Sequence, residues 1–209
     1  MNLMEACGAI SAARKSHAPR SVLVSTMSAM FAFDELGDQH RRIDSVPLMG
    51  GAACLALGIS LARPDIPVIA VDGDASLLME LGGMVSVASA RPAWLIHVVI
   101  NNAVQFNGAV NMTRPGCSPP CEFAAIASAA GYTRSFTYTS FSALQAALPR
   151  LLTEPQLAMV ELKIDSDAQS IGADRTQPYV PDHQFDRMRD AVPALRAALS
   201  KDHRQEERG

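Results

Sequence analysis

Two apolar runs near the middle of the chain each end in a short polar motif. The first run, Ile66–Val71, stops at Asp72-Gly73-Asp74, and the second, Trp94–Ile100, stops at Asn101-Asn102. Helix-compatible residues fill 76–89, so the pattern predicts a strand, a helix and a second strand. Ligands in open parallel sheets bind beyond the carboxyl ends of the strands. The pattern therefore places both polar motifs where a ligand would bind.

Strand-like and helix-like segments alternate through the rest of the chain as well. This alternation predicts an α/β fold, a doubly wound parallel sheet with helices on both faces. We expect a main domain over residues 1–165, an arm and a final helix over 166–200, and a disordered tail over 201–209. Residues 34–42 are expected to form a charged loop. The predicted strands are 21–25, 66–71, 94–100, 132–138 and 157–164, and the predicted helices are 2–16, 52–63, 76–89, 122–131, 140–152 and 184–199.

The groups that follow the two apolar runs have the chemistry of a site for a hard cation. The Asp74 carboxylate, the Asn102 amide oxygen and a nearby backbone carbonyl are oxygen ligands of the kind that Mg²⁺ takes, together with phosphate oxygens and water. The start of the following helix brings the backbone N–H groups of Gly73, Ala75 and Ser76 close by, and such a helix end favours bound phosphate. A diphosphate bridged by Mg²⁺ fits this arrangement.

The spacing of the two motifs resembles a known signature. Gly73-Asp74-Ala75, followed by 25 residues and then by Asn101-Asn102, is similar to the GDG and NN motif of thiamine-diphosphate enzymes. Ala75 replaces the usual third glycine of that motif. The alternative is an ordinary strand–helix–strand unit, in which the aspartate caps the helix and the asparagine pair forms a turn.

The resemblance implies a role for each of these residues and for two nearby segments. Met49, followed by Gly50 and Gly51, matches the apolar position that holds the cofactor in its bent conformation, although a methionine here is also typical of core packing. The irregular stretch 103–121 offers further contacts to the cofactor, foremost Gln105 and Phe106. The implied Mg²⁺ ligands are Asp74, Asn102 and the carbonyl of Val104, and the implied diphosphate contacts are Gly73, Ala75 and Ser76.

Within this family, the segments MGGAACLALGISLARP, DGDASLLMELG and LIHVVINN are most similar to phosphonopyruvate and sulfopyruvate decarboxylases. The chain resembles only the diphosphate-binding module, as in the β subunit of the sulfopyruvate enzymes. The resemblance implies that the glutamate which activates the cofactor comes from a separate pyrimidine-binding α subunit, because neither Glu5 nor Glu80 is placed for that work. We therefore expect a decarboxylase that acts on a small 2-oxo acid as a hetero-oligomer with a dimeric core.

Two other functions stay open at this point. The first retains the cofactor but ends in carboligation, as in acetolactate synthases, and needs a second carbonyl substrate. The second is a non-catalytic cofactor-binding or assembly subunit, for which Asp74→Ala would leave the turnover of the complex intact. The segment FNGAVNMTRPG departs from the expected pattern, which leaves the identity of the 2-oxo acid open. A Rossmann dinucleotide-binding domain is disfavoured, since no G-x-G-x-x-G motif follows a strand.

Composition narrows the class of protein further. The 209 residues are 48% apolar and 19% charged, which is typical of a globular domain with a sizeable core. A net charge of −3 gives no electrostatic reason to expect nucleic acid or an anionic membrane surface as a partner. With no bilayer-spanning stretch and no evident signal peptide, the expected location is cytoplasmic. The four cysteines do not suggest a disulfide scaffold; Cys7 and Cys54 are expected on buried helix faces, and His97 as a core histidine.

Overall fold

A parallel sheet of six strands forms the centre of the fold in the computed structural model, which describes residues 1–45, 48–105, 110–111, 121–165 and 184–206. The sheet contains β1 (Val22–Ser25), β2 (Arg42–Asp44), β3 (Val68–Gly73), β4 (Leu95–Asn101), β7 (Arg134–Tyr138) and β8 (Leu157–Lys163). Its order is β2-β1-β3-β4-β8-β7, so the chain adds strands on both sides of β1. A separate antiparallel pair joins β5 (Val104–Gln105) to β6 (Val110–Asn111).

Helices cover both faces of the sheet. Successive side chains of a strand point to opposite faces, so Ile96 and Val98 of β4 pack in one hydrophobic cluster and Leu95 and Val99 pack in the other. The first cluster includes α1 (Leu3–His17), α2 (Ser28–Glu35) and α7 (Phe141–Thr153), and the second includes α3 (Ala52–Ala62), α4 (Asp74–Met79), α5 (Gly82–Ala90) and α6 (Phe123–Ala130). The predicted doubly wound α/β fold is confirmed.

The single helix predicted over residues 76–89 is in fact two. Helix α4 ends at Met79, its C-cap residue Glu80 has φ of −129° and ψ of 41°, outside the helical region, and α5 begins at Gly82. Two glycines in succession, Gly82 and Gly83, weaken a continuous helix because glycine has a high helix-forming cost. The break also allows the backbone at Gly50 to approach Ser76 and Glu80 closely.

Strand β2 lies partly inside the segment that was predicted to be a charged loop. Its residues are Arg42, Ile43 and Asp44, all of them buried. The Arg42 guanidinium donates from Nε to one Asp44 carboxylate oxygen at 2.8 Å and from Nη2 to the other at 2.9 Å. A buried strand whose polar side chains satisfy one another carries no apolar pattern, which is why the sequence analysis missed it.

The C-terminal helix α8 runs from Gln184 to Glu206, which corrects the prediction of disorder for most of the tail. Asp202 accepts hydrogen bonds from both terminal nitrogens of Arg41, at 2.7 and 2.8 Å, and this pairing anchors the last turns beside β2. Pro149 lies inside α7, and that helix continues to Thr153. No helix in the described ranges combines the length and the apolarity needed to cross a membrane.

Three predictions about individual side chains have mixed outcomes. Cys7 is buried in the core as expected, whereas Cys54 is exposed on α3, which is a correction. His97 is fully buried, and its Nδ1 is 3.1 Å from the hydroxyl of Tyr132, as expected for a core histidine with a partner. Burial lowers the pKa of His97 to about 4, so the ring is neutral at physiological pH.

Candidate functional site

The two polar motifs meet at the carboxyl edge of the sheet, as predicted. Strands β3 and β4 are neighbours in parallel register, with Gly73 opposite Ile100, so both chains leave the sheet side by side. The backbone N–H of Ala103 then donates to Oδ2 of Asp74 at 2.7 Å. This hydrogen bond connects the turn after β4 directly to the first residue of α4 and brings the aspartate and asparagine motifs together.

Asp74 presents a buried carboxylate with both oxygens oriented by the backbone. Its side chain is 3% exposed, and Oδ1 accepts a hydrogen bond from the Ala75 N–H at 2.7 Å. Burial raises the pKa of this carboxyl, and the backbone hydrogen bonds from Ala75 and Ala103 oppose that rise. In the described residues no arginine or lysine forms an ion pair with Asp74. A divalent cation would supply the missing positive charge.

The asparagine turn has an unusual backbone. Ala103 has φ of 58°, a conformation that residues with a side chain rarely adopt. The turn is closed by a hydrogen bond from the Val104 N–H to Oδ1 of Asn102 at 3.0 Å. Asn102, Val104 and Gln105 are all half-buried beside Asp74. One lone pair of the Asn102 amide oxygen and the Val104 carbonyl complete a set of hard oxygen donors, which suits Mg²⁺.

The segment with Met49, Gly50 and Gly51 contacts α4. The Gly50 N–H donates to Oγ of Ser76 at 2.6 Å. Gly50 has φ of +80°, and a Cβ there would lie 2.5 Å from Cβ of Glu80 and 2.7 Å from the Ser76 carbonyl oxygen. Only glycine permits this approach, and the approach places half-buried Met49 beside the start of α4.

Asp72 is a buried carboxylate next to the site that the sequence analysis did not single out. Its Oδ1 accepts a hydrogen bond from the Gly73 N–H at 2.9 Å. Burial raises its pKa to about 6, and the nearby charge of Asp74 adds to that rise. Its Oδ2 has no hydrogen-bond partner in the described residues and lies 4.0 Å from Nε2 of His97.

The structure thus brings together most of the predicted site residues. The exception is Phe106, which lies outside the described residues. The Thr26 hydroxyl, just after β1, donates to the Ser45 carbonyl at 3.1 Å, and α2, which begins at Ser28, has no side-chain cap. The residues that meet are Met49, Gly50, Gly51, Gly73, Asp74, Ala75, Ser76, Asn102, Val104 and Gln105.

Large apolar side chains surround this edge of the sheet without being buried. Leu48 is 57% exposed, Met79 is 50% exposed and Leu78 is 41% exposed. Leu48 contacts the position of Gly51, and the other two residues lie at the end of α4. An exposed apolar surface beside an incomplete ligand site is typical of a protein–protein interface.

Comparison with known proteins identifies the family. Residues 23–162 match the model for the C-terminal, thiamine pyrophosphate-binding domain of thiamine pyrophosphate enzymes, another name for thiamine-diphosphate enzymes. The chain is 31% identical over 151 residues to phosphonopyruvate decarboxylase of Streptomyces hygroscopicus, covering 72% of this chain and 37% of that protein. It is 38% identical over 65 residues to the sulfopyruvate decarboxylase β subunit of Methanothermobacter thermautotrophicus, covering 31% of this chain and 35% of that subunit.

The fold has a solved counterpart as well. The thiamine diphosphate-dependent 4-hydroxybenzoylformate decarboxylase of Rhodococcus jostii RHA1 superposes with a TM-score of 0.62 over 80% of this chain and 33% of its own, at 19% identity. The chain spans between 32% and 37% of the length of the curated relatives it matches. The matched domain and the geometry of the motif show that the chain belongs to the thiamine pyrophosphate enzymes and corresponds to their C-terminal, cofactor-binding domain.

Proposed function

We propose that the chain is the diphosphate-binding subunit of a 2-oxo acid decarboxylase that depends on thiamine diphosphate and Mg²⁺. The observation that carries the proposal is the hydrogen bond from the Ala103 N–H to Asp74, since it joins the two halves of the motif at the carboxyl ends of β3 and β4. The similarity to phosphonopyruvate decarboxylases and to sulfopyruvate decarboxylase β subunits supports the decarboxylase over the carboligase.

The donor set fits the proposed cation. No cluster of three His, Cys, Asp or Glu side chains is present in the described part of the chain, so a cation here relies on mixed oxygen ligands. Asp74 supplies the carboxylate, Asn102 the amide oxygen and Val104 the backbone carbonyl. This mixture of hard oxygens, with room for phosphate oxygens, is the coordination that Mg²⁺ adopts with nucleotide-like ligands.

The remaining residues hold the diphosphate and the bend of the cofactor. The backbone N–H groups of Gly73 and Ala75 donate to the carboxylates of Asp72 and Asp74 in the structure. We expect a bound cation to take over the Asp74 oxygen from Ala75, which frees that N–H for a phosphate oxygen. Backbone groups of Ser76 complete the phosphate contacts. Further contacts to the cofactor come from Met49, Gly50 and Gly51 on one side and from Gln105 and Phe106 on the other.

Thiamine diphosphate, when bound, supplies the electron sink that makes loss of CO₂ from a 2-oxo acid feasible. The protein anchors the diphosphate, orients the reacting ring through the Met49 segment and excludes water on the side of α4. Neither Glu5, near the N-terminus, nor Glu80, at the end of α4, is the group that activates the cofactor in this proposal. Glu5 caps α1 by accepting from the Asn2 N–H at 2.9 Å, and Glu80 is exposed at the end of α4.

An α subunit therefore completes the proposed enzyme. It contributes the pyrimidine-binding half of the site and its activating glutamate, and the exposed side chains of Leu48, Leu78 and Met79 form the surface against which it packs. The resulting hetero-oligomer has a dimeric core, because each cofactor lies between two modules. The isolated chain binds the cofactor weakly, since half of the contacts are missing.

The proposal is tested by affinity purification of the chain from lysate of its own host, with bound proteins identified by mass spectrometry. We expect a small partner with a pyrimidine-binding module. The purified pair is then assayed for CO₂ release from 2-oxo acids that carry a sulfonate, a phosphonate or a plain carboxylate. Asp74→Ala is expected to abolish turnover. Full turnover by that variant supports a non-catalytic subunit instead, and a larger 2-hydroxy-3-oxo product in place of an aldehyde supports a carboligase.

A further inference from the structure

One buried carboxylate outside the aspartate and asparagine motifs forms hydrogen bonds with several elements beside the site. Glu161 is fully buried on β8, where all the remaining residues from Leu157 to Leu162 are apolar. Its Oε1 accepts a hydrogen bond from Nδ2 of Asn101 at 2.7 Å, and its Oε2 accepts from the backbone N–H of Ala124 at 3.1 Å. The Thr137 hydroxyl adds a longer contact at 3.4 Å.

These donors come from separate elements that converge beside the cation site. Asn101 is the last residue of β4 and directly precedes Asn102, whereas Ala124 lies in the first turn of α6. Helix α6 has no side-chain cap from its own N-cap residue, Glu122, so Glu161 supplies an acceptor to one of its otherwise unpaired N–H groups. One carboxylate thus binds both flanks of the chain segment 102–123.

A purely structural role explains this arrangement poorly. Burying a carboxylate costs free energy, and an apolar side chain of similar size fills such a position at lower cost. Burial is the main cause that raises the pKa of the Cys121 thiol, and the negative charges of Glu161 and Asp74 raise it further. The two carboxylates therefore lie near the same thiol. Residues that cost folding stability at their own position are concentrated at functional sites.

We propose that Glu161 is a positioning residue that holds the Asn101–Asn102 turn and the start of α6 in the geometry that the cation and diphosphate require. This inference rests on the cofactor site proposed above. Glu161 touches neither the cofactor nor the cation ligands in this assignment; it acts through Asn101. Partners of this kind behind a metal ligand typically change metal affinity by roughly 10- to 100-fold when removed.

The test compares Glu161→Met with a double variant that restores the hydrogen bonds. Methionine has a similar length but no oxygen, so Nδ2 of Asn101 and the N–H of Ala124 both lose their acceptor. In Asn101→Asp/Glu161→Gln the new Nε2 donates to the aspartate while Oε1 accepts from Ala124, which restores both hydrogen bonds at unchanged net charge. Thr137→Val is the matched control, because it removes only the long contact to the same carboxylate.

Two measurements on the full chain decide the outcome. The first is hydrogen exchange by mass spectrometry, which needs no cofactor. We expect faster exchange in Glu161→Met at residues 101–105 and at Ala124 but not in α1, with recovery in the double variant. The second is titration with thiamine diphosphate in excess Mg²⁺, for which we expect affinity to fall roughly 10- to 100-fold in Glu161→Met and to return within about threefold of wild type in the double variant.

Several results overturn the proposal. Wild-type exchange and affinity in Glu161→Met would do so, as would no recovery in the double variant. Exchange that rises equally in all elements, with affinity lost only in proportion to unfolding, assigns Glu161 a merely structural role. Asp38→Asn sets that baseline, since Asp38 is a buried partner of Arg14 at the opposite edge of the sheet. Failure of the proposed function looks different: the wild-type chain then shows no Mg²⁺-dependent binding, with or without its partner.

Discussion

Two buried groups of polar side chains, at the carboxyl ends of β2 and β3 on either side of β1, differ sharply in how their charges are balanced. Beside β2, all three guanidinium nitrogens of Arg42 donate, chiefly to the Asp44 carboxylate. Beside β3, Asp72 and Asp74 are two carboxylates with no arginine or lysine partner in the described residues, and Asp72 retains an oxygen without a hydrogen bond. The first group is satisfied by the chain itself, whereas the second has the charge deficit of a site that a cation completes.

The sharpest way to break this comparison is to neutralise one carboxylate in each group. Asp74→Asn is expected to lower the affinity for Mg²⁺ and thiamine diphosphate by roughly 100-fold or more, because a charged ligand is lost. The same change should leave the free energy of unfolding unchanged or slightly higher, since burial disfavours the charge of Asp74. Calorimetric titration and urea unfolding measure the two quantities.

The matched variant, Asp44→Asn, is expected to behave in the opposite way. Breaking the buried ion pair leaves the Arg42 guanidinium with the more exposed Asp34 as its remaining carboxylate partner, and it lowers the free energy of unfolding by about 3 kcal/mol. Cofactor affinity, measured at a temperature where the variant is fully folded, should stay within about twofold of wild type. Equal losses of affinity in both variants would remove the distinction between the two groups.

A second contrast concerns two glycines with different surroundings. Gly50→Ala is expected to cost about 2–4 kcal/mol in the free energy of unfolding, because a Cβ there overlaps Glu80 and φ is +80°. Gly58→Ala, in α3 with no atom within 4 Å of the added Cβ, should stabilise by about 0.5–1 kcal/mol. Thermal unfolding of both variants checks the pair, and similar changes in both would contradict the close approach at Gly50.

The smallest effect expected is a pH dependence. The folded pKa of His97 is lowered to about 4 from 6.5, so the unfolded chain binds the proton first and stability falls as pH drops through this window. Asp72 acts in the opposite direction, because its folded pKa of about 6 is raised from 3.8 and its protonation favours the folded state. Each contribution is on the order of 3 kcal/mol, at 1.36 kcal/mol for each unit of pKa, and because the two oppose each other they nearly cancel in the wild-type chain.

Urea unfolding between pH 4 and pH 7 separates these two contributions. His97→Gln removes the first, so the variant should gain stability relative to wild type as pH falls. Asp72→Asn removes the second, so that variant should lose stability relative to wild type over the same range. Tyr132, the hydrogen-bond partner of His97, stays uncharged throughout because burial raises its pKa. Parallel pH profiles for wild type and His97→Gln would contradict the neutral buried imidazole.

The apolar runs were sufficient to predict the centre of the fold. Strands such as β4 are buried on both faces, so they appear in the sequence as apolar runs, interrupted in β4 only by the buried His97 before the run ends at Asn101. Asp74 and Asn102 follow β3 and β4 where these parallel strands end. Short polar elements were not predictable in this way. Strand β2 depends on the pairing of Arg42 with Asp44, and that pairing has no apolar signal.

The missing parts of the site share one physical cause. The hydrogen bond between Asn101 and Glu161 joins residues 60 positions apart, and no local pattern reports such a contact. Asp72 is adjacent to the motif, but its burial and its distance from His97 follow from sheet packing rather than from spacing. In the sequence, only the two successive glycines indicate the break between α4 and α5. In the structure, the backbone at Gly50 lies close to Glu80, the residue at that break.

The central claim is that Asp74 and Asn102 form a cation site that requires the diphosphate. The most direct measurement uses Mn²⁺ in place of Mg²⁺ and follows the relaxation rate of water protons, which detects weak binding by the isolated chain. The account predicts enhanced relaxation when thiamine diphosphate is added to the wild-type chain with Mn²⁺, and none beyond the free-ligand level for Asp74→Asn. Equal enhancement in both proteins would contradict the claim.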